Sequence, residues 1–329
     1  MSEQPLLSIC ILTYNRAALL AEALDSLLPQ VSGDERVEIL ISDNASPDHT
    51  PAVAHAYRAC YPQVRYHRNA QNEEFDGNIV ACVEQAQGEY VAFFSDDDLA
   101  PPGTFTAVLD ALVRYKPAIL YLNHYPFYGG DYRLCRGLKH PARDRIFADG
   151  KQFLLFAGLG FISALTVRRE YARMFIPNVK RGPGQAHLDI AARIALLGPG
   201  PFVFLGTQAI AARVPAQIAY DSVTNAALNE ALFYHGLETE GLLDSATVRR
   251  RVGRSIPHNL FRAVLAKKCS ANYAHLTGQK RLLIETYQRY WQFYLFVYPV
   301  LLLPRPLLVG PYRLARALIR LWHTRGASR

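Results

Sequence analysis

Three consecutive carboxylates, Asp96, Asp97 and Asp98, follow the apolar run Tyr90–Phe94 and a single Ser95. Acids set side by side at the end of a buried segment repel one another unless a cation or hydrogen-bond donors compensate them. A divalent ion with oxygen ligands does this, and it can then bridge the oxygens of a diphosphate. The competing reading is structural, with Asp98 or a neighbour capping a helix that begins near Pro102. Two more polar clusters end apolar runs: Thr13-Tyr14-Asn15-Arg16 after Leu6–Thr13, and Asp43-Asn44 after Val37–Ser42. A carboxylate and an amide at neighbouring strand ends can hydrogen-bond the edge of a base, and Tyr14 offers a ring face beside them. Asn15, Asp43 and Ser46 are equally suited to ordinary turns and caps.

The elements that must carry these clusters alternate along the chain. Strand-length apolar runs are Leu6–Thr13, Val37–Ser42, Val64–His67, Tyr90–Phe94 and Ala118–Asn123. Between them, helical spacing predicts helices over Ala17–Leu28, Thr50–Cys60, Asn78–Gln87 and Thr104–Tyr115. This order implies an α/β fold of βαβ units around a mostly parallel, buried sheet. Open α/β sheets bind ligands beyond the carboxyl ends of their strands, where all three polar clusters fall. Further on, Gly158–Val167 reads as a strand and His187–Leu197 as a helix ended by Gly198-Pro199-Gly200. From Leu228 the pattern is helical, broken by prolines at 257, 299, 304, 306 and 311.

Half of the 329 residues are hydrophobic, which excludes a disordered chain. The five cysteines are scattered without C-x-x-C spacing, so a zinc cluster or disulfide framework is not expected and a reducing cytoplasm fits. The start MSEQPLLSICILTY lacks the basic region of a signal peptide. The net charge of +8 divides sharply: residues 1–244 hold 20 Lys and Arg against 27 Asp and Glu, whereas residues 245–329 hold 16 against 1. An acidic body therefore carries a basic appendage suited to an anionic surface.

LLSICILTYNR, VEILISDNASPD, the Gly77-Asn78 helix start and YVAFFSDDD resemble family 2 glycosyltransferases of the GT-A fold. Order and spacing agree over roughly residues 5–125, with the abequosyltransferase-like members of bacterial surface polysaccharide assembly most similar. The resemblance implies a metal-dependent, inverting transfer of a hexosyl or deoxyhexosyl group from a nucleotide-sugar. Thr13, Tyr14, Asn15 and Arg16 would line the nucleotide site with Asp43 and Asn44, and Asn78 would sit near base and ribose. Asp96 would meet the ribose or the metal, Asp97 the sugar, and Asp98 would ligate Mg²⁺ or Mn²⁺ on the diphosphate. Family members commonly place an Asp base in an acidic pair at a helix start. Here the match is Asp189 in Gly184-Gln185-Ala186-His187-Leu188-Asp189, with His187 and Asp221 as alternatives. The competing role for Asp189 is to favour the helix N-terminus.

The expected organisation is a GT-A domain over residues 1–225 and a helical, basic region over 226–329. Trp291–Leu303 is intensely apolar, yet it is too short to span a bilayer, which needs roughly 20 residues. Pro311–His323 carries Arg313, Arg316 and Arg320 at helical spacing. Together residues 291–329 are expected to meet an anionic membrane, the inner face of a bacterial plasma membrane, where a glycan or lipid-linked acceptor would be presented. A helix packed in water or a dimer contact is the alternative. A nucleotidyltransferase would need a Gly-rich phosphate loop, which TYNRAALL is not. No nucleic-acid module is visible, and a catalytically silent glycan-binding relative is the remaining competitor.

Overall fold

The computed structural model describes residues 4–128, 131–135, 137–179, 184–214, 223–224, 228–270 and 274–314. The chain forms two compact units, residues 1–216 and 217–329.

In the first unit the strands are β1 (Leu7–Thr13), β2 (Val37–Asp43), β3 (Val64–Arg68), β4 (Tyr90–Ser95), β5 (Ile119–Phe127), β6 (Arg145–Phe147), β7 (Leu165–Arg168) and β8 (Phe202–Arg213). They make one mixed sheet in the order β3-β2-β1-β4-β7-β5-β8-β6. The helices are α1 (Ala17–Val31), α2 (Thr50–Cys60), α3 (Glu74–Gln85), α4 (Thr104–Tyr115), α5 (Gly150–Ala157), α6 (Arg169–Phe175) and α7 (Ala186–Leu197). Every residue of β1 and β2 is buried, as a parallel sheet covered on both faces requires. On α1 the buried set Leu20, Ala23, Leu24, Leu27, Leu28 and Val31 forms a single stripe against it. Glu38 is a buried acid near the start of β2. It is satisfied by the Ser8 hydroxyl, the Gln87 N–H and Arg65.

Register brings the chemistry together. Thr13 of β1 pairs with Asp43 of β2, and Leu12 pairs with Ser95 of β4, so three polar strand ends lie abreast. Antiparallel β7 separates β4 from β5, and the tail of β8 reaches the aspartates, where Leu99 and Ala211 exchange backbone hydrogen bonds.

Two elements differ from the sequence pattern. The strand expected over Gly158–Val167 is only Leu165–Arg168, preceded by a helical turn at Ile162–Ala164. Gly158 and Leu159 have positive φ (73° and 49°), which excludes extended backbone there. Helix α3 begins at Glu74, four residues before Asn78, so Asn78 sits inside it.

The second unit is helical: α8 (Asn229–Thr239), α9 (Ser245–Ser255), α10 (Phe261–Cys269), α11 (Ala274–Tyr287) and α12 (Tyr298–Leu302), with wider turns at Ile256–Leu260 and Phe293–Val297. Its core includes Tyr234, Val252, Leu260, Leu283 and Tyr287, the last stacked on Phe293 at 5.8 Å.

Candidate functional site

A cavity of about 610 Å³ opens at the carboxyl ends of β1, β2 and β4. Thr13, Tyr14, Asn15, Arg16, Asn44, Asn78, Asp96 and Asp97 all line it, with Asn72, Glu74, Phe75 and Ile162 completing the wall. Eight of the expected residues thus share one space of ligand size. A second cavity of about 790 Å³, beside Tyr125, His140 and Thr207, contains none of them.

The three aspartates have three different environments. Asp97 reaches the cavity, its Oδ1 accepting from the Ser95 hydroxyl at 2.6 Å and its Oδ2 from Arg16 at 3.2 Å. Asp96 is buried and accepts from Arg16 at Oδ1 (3.0 Å), while among the described residues its Oδ2 is buried without a well-formed hydrogen bond, the Thr13 hydroxyl lying beside the carboxylate. Arg16, itself half exposed, therefore lies across both carboxylates. Burial pushes the Asp96 carboxyl up to about 6 against the pull of Arg16.

Asp98, the expected metal ligand, is held by groups of the protein itself. Its Oδ2 accepts from the Ser163 hydroxyl at 2.5 Å and its Oδ1 from the Arg213 N–H at 3.0 Å, and it does not line the cavity. It ties the end of β4 to the Ile162–Ala164 turn and to β8. Arg213 completes the tie, donating from Nε to the Asp97 carbonyl at 2.8 Å. Burial and the neighbouring Asp97 push Asp98 up to about 7.

Asp43 also stands apart. It is fully buried, accepting from the Ser46 N–H at 2.8 Å and the Tyr66 hydroxyl at 2.7 Å, with Arg68 at 3.8 Å. Its carboxylate shapes the turn after β2 and does not line the cavity. Asn44, which does, is held by Asn69, Asn72 and the Glu73 and Glu74 backbone. Asn78 is fixed by Ser42 and Asn69. Two cavity residues, Asn15 and Glu74, together with Ala45 beside Asn44, have φ between 55° and 62°. Strained backbone of this kind persists where surrounding structure over-determines it, as at ligand sites.

The base candidates sit at the start of α7, outside the cavity wall. Asp189 Oδ1 accepts from Arg193 Nε at 3.1 Å. His187 Nε2 lies 3.2 Å from the Gly160 carbonyl, and its ring meets Phe75 edge-on at 5.6 Å. Burial lowers the His187 pKa. Asp221 lies outside the described residues. Sequence reasoning missed Asp76, whose carboxylate accepts from the N–H groups of Gly184 and Ala186 and so anchors the start of α7 to α3. It also missed Ser163 and Arg213, which no local pattern marks.

The family model of glycosyl transferase family 2 matches residues 8–172, half the chain and nearly all of this framework. The chain belongs to glycosyl transferase family 2. The abequosyltransferase of Salmonella typhimurium is 42% identical over 94 residues, 28% of each protein. Matches to the curated relatives span 12–44% of those relatives' lengths. Among solved structures, S. aureus TarS superposes with a TM-score of 0.62 at 15% identity, covering 86% of this chain and 80% of that one. A Pyrobaculum calidifontis mannosyltransferase in complex with GDP-Man and Mn²⁺ gives 0.54 at 16% identity, over 97% and 88%. These likenesses establish the GT-A fold for the family 2 chain.

Proposed function

We propose that this family 2 glycosyltransferase moves a hexosyl or deoxyhexosyl group, with inversion, from a nucleotide-sugar to a glycan acceptor in bacterial surface polysaccharide assembly. The observation that carries the reading is the family 2 framework with Asp96 and Asp97 facing one cavity beside Tyr14, Asn44 and Asn78. Base and ribose occupy the Tyr14, Asn44 and Asn78 side, and the diphosphate lies toward Arg16. The acceptor is carried on a lipid, and the second unit meets an anionic membrane.

Asp96 and Asp97 suit a divalent ion shared with a diphosphate. One or two carboxylates suffice when phosphate oxygens fill the remaining positions, and among the described residues Asp96 Oδ2 accepts no well-formed hydrogen bond, with the Thr13 hydroxyl beside the carboxylate. Mn²⁺ or Mg²⁺ bound there would neutralise the departing nucleoside diphosphate. Arg16 is placed to exchange the carboxylates for phosphate oxygens. The acceptor hydroxyl attacks the anomeric carbon opposite the leaving group. As its oxygen bonds to carbon, the carbon–phosphate oxygen bond breaks, and the hydroxyl proton passes to Asp189.

A thermal-shift screen of UDP-, dTDP-, CDP- and GDP-sugars with Mn²⁺ or EDTA tests this. A metal-dependent rise with one nucleotide is expected, and no rise with any of them would sink the donor-site reading.

The stabilisation is expected to depend on pH. Asp96 and Asp98 have pKa values raised by burial in the folded protein. Their contribution to stability is therefore fully present below the unfolded carboxylate value and is lost as pH rises through about 6 to 7. A divalent ion needs the ionised form of Asp96, so the melting-temperature gain from Mn²⁺ with nucleotide is expected to be larger at pH 8 than at pH 5.5. An equal gain at both would contradict the role of Asp96.

A further inference from the structure

Helix residues from Trp291 to Leu302 are apolar on two opposite faces. Phe293, Val297, Val300 and Leu301 are buried in the second unit. Trp291, Leu295 and Leu302, at the same helical spacing, are 67%, 59% and 56% exposed. An amphipathic surface helix would carry polar groups at these outer positions, and a helix apolar all round is normally enclosed by protein or lipid. Leu303, Leu307 and Leu314 continue the exposure beyond the bend.

The bend fixes how far this segment can reach. Phe293–Leu302 and Arg305–Leu314 meet at 111°, and among the described residues no single helix is long and apolar enough to cross a membrane. The break has a local cause, since Pro304 disfavours helical backbone at Leu303 and cannot donate a helix hydrogen bond. Ten helical residues rise only about 15 Å, half the thickness of a bilayer core. Two basic side chains fasten the bend to the end of α10. Lys268 Nζ donates to the Val300 and Leu301 carbonyls at 2.6 and 3.0 Å, and Arg305 donates to the Ser270 carbonyl at 3.0 Å. The apolar stripe is thus presented on a braced support.

We infer that the outer stripe of Trp291, Leu295 and Leu302, with Leu303 and Leu307, enters one leaflet of an anionic bilayer, the bent helix pair lying in the interface. This deepens the membrane part of the proposed function and rests on the surface of the second unit alone. Charge selects the occupant: the second unit, residues 217–329, holds 16 Lys and Arg against six Asp and Glu. A second copy would bring the same positive field against this one, whereas acidic headgroups neutralise it. Exposed Arg254, Arg262 and Arg313 add to that attraction.

Flotation of the full chain with phosphatidylcholine vesicles, with or without phosphatidylglycerol, tests the inference without donor or acceptor. Binding is expected only with the anionic lipid and is expected to weaken in high salt. Trp291→Ser with Leu295→Ser, both exposed, is expected to lower the bound fraction at least about tenfold at an unchanged melting temperature. With Trp322→Phe leaving Trp291 as the single tryptophan, its emission is expected to shift to the blue on binding. Equal flotation without anionic lipid, unshifted emission, or light scattering showing a dimer that the double variant dissolves would each overturn it. Such a failure leaves the donor-site reading intact, because that reading is tested by nucleotide-dependent melting.

Discussion

Asp97→Asn is expected to abolish the metal-dependent rise in melting temperature with donor and to lower turnover by about 10² to 10³-fold. Asp98→Asn is expected to leave both nearly unchanged. The contrast follows from what each carboxylate touches. Asp97 faces the cavity and shares Arg16 with Asp96, so its negative charge is available to a cation. An amide keeps the shape and loses that charge. Asp98 spends one oxygen on Ser163 and the other on the Arg213 N–H. An Asn there can accept from Arg213 with its carbonyl and donate to the Ser163 oxygen with its NH₂, so both ends of the tie survive. Asp98→Ala removes them and leaves a buried N–H unsatisfied, at about 1–3 kcal/mol. Metal titration of the three variants, followed by melting temperature, separates the roles. Loss of the metal effect in Asp98→Asn with retention in Asp97→Asn would reverse them.

The framework was legible because β1, β2 and β4 are buried on both faces and read as unbroken apolar runs between amphipathic helices. Polar residues after β1, β2 and β4 then fell at one edge by register alone. Which of those residues face the cavity was not legible. Asp43 and Asn44 are neighbours, yet one is swallowed by Ser46 and Tyr66 while the other lines the wall. Asp97 and Asp98 divide the same way, decided by Ser163 and Arg213, which lie 65 and 115 residues from Asp98 in the chain. Such contacts come from tertiary packing, which periodicity does not encode. Helix α3 hid its start because Glu74 enters it from the left-handed region, where a local reading expects glycine or asparagine. The apolar stretch of Trp291 to Leu302 was read as membrane-facing, but which of its residues form the exposed stripe was not legible, since a buried helix has the same composition.

The remaining chemical step is expected to fail in Asp189→Asn, with turnover falling by about 10² to 10⁴-fold and donor-induced melting unchanged. Asp189 and His187 are both delivered by the first turn of α7, and Asp76 clasps that turn to α3 beside the cavity residues Glu74 and Phe75. The two groups differ in what holds them. Asp189 has Arg193 one helical turn away on Oδ1, a pairing that stabilises the carboxylate and orients it. His187 has its ring against Phe75 and one nitrogen on the Gly160 carbonyl, an arrangement suited to wall packing. If Asp189 takes the proton, His187→Asn should lower turnover far less than Asp189→Asn, and the acid limb of the pH–rate profile should persist in it. If His187 takes it, the order reverses and that limb disappears from His187→Asn. Donor binding measured on both variants guards the comparison, because collapse of α7 would also disturb the Phe75 wall and lower nucleotide affinity. Intact donor binding with normal turnover in Asp189→Asn would remove Asp189 from the chemistry.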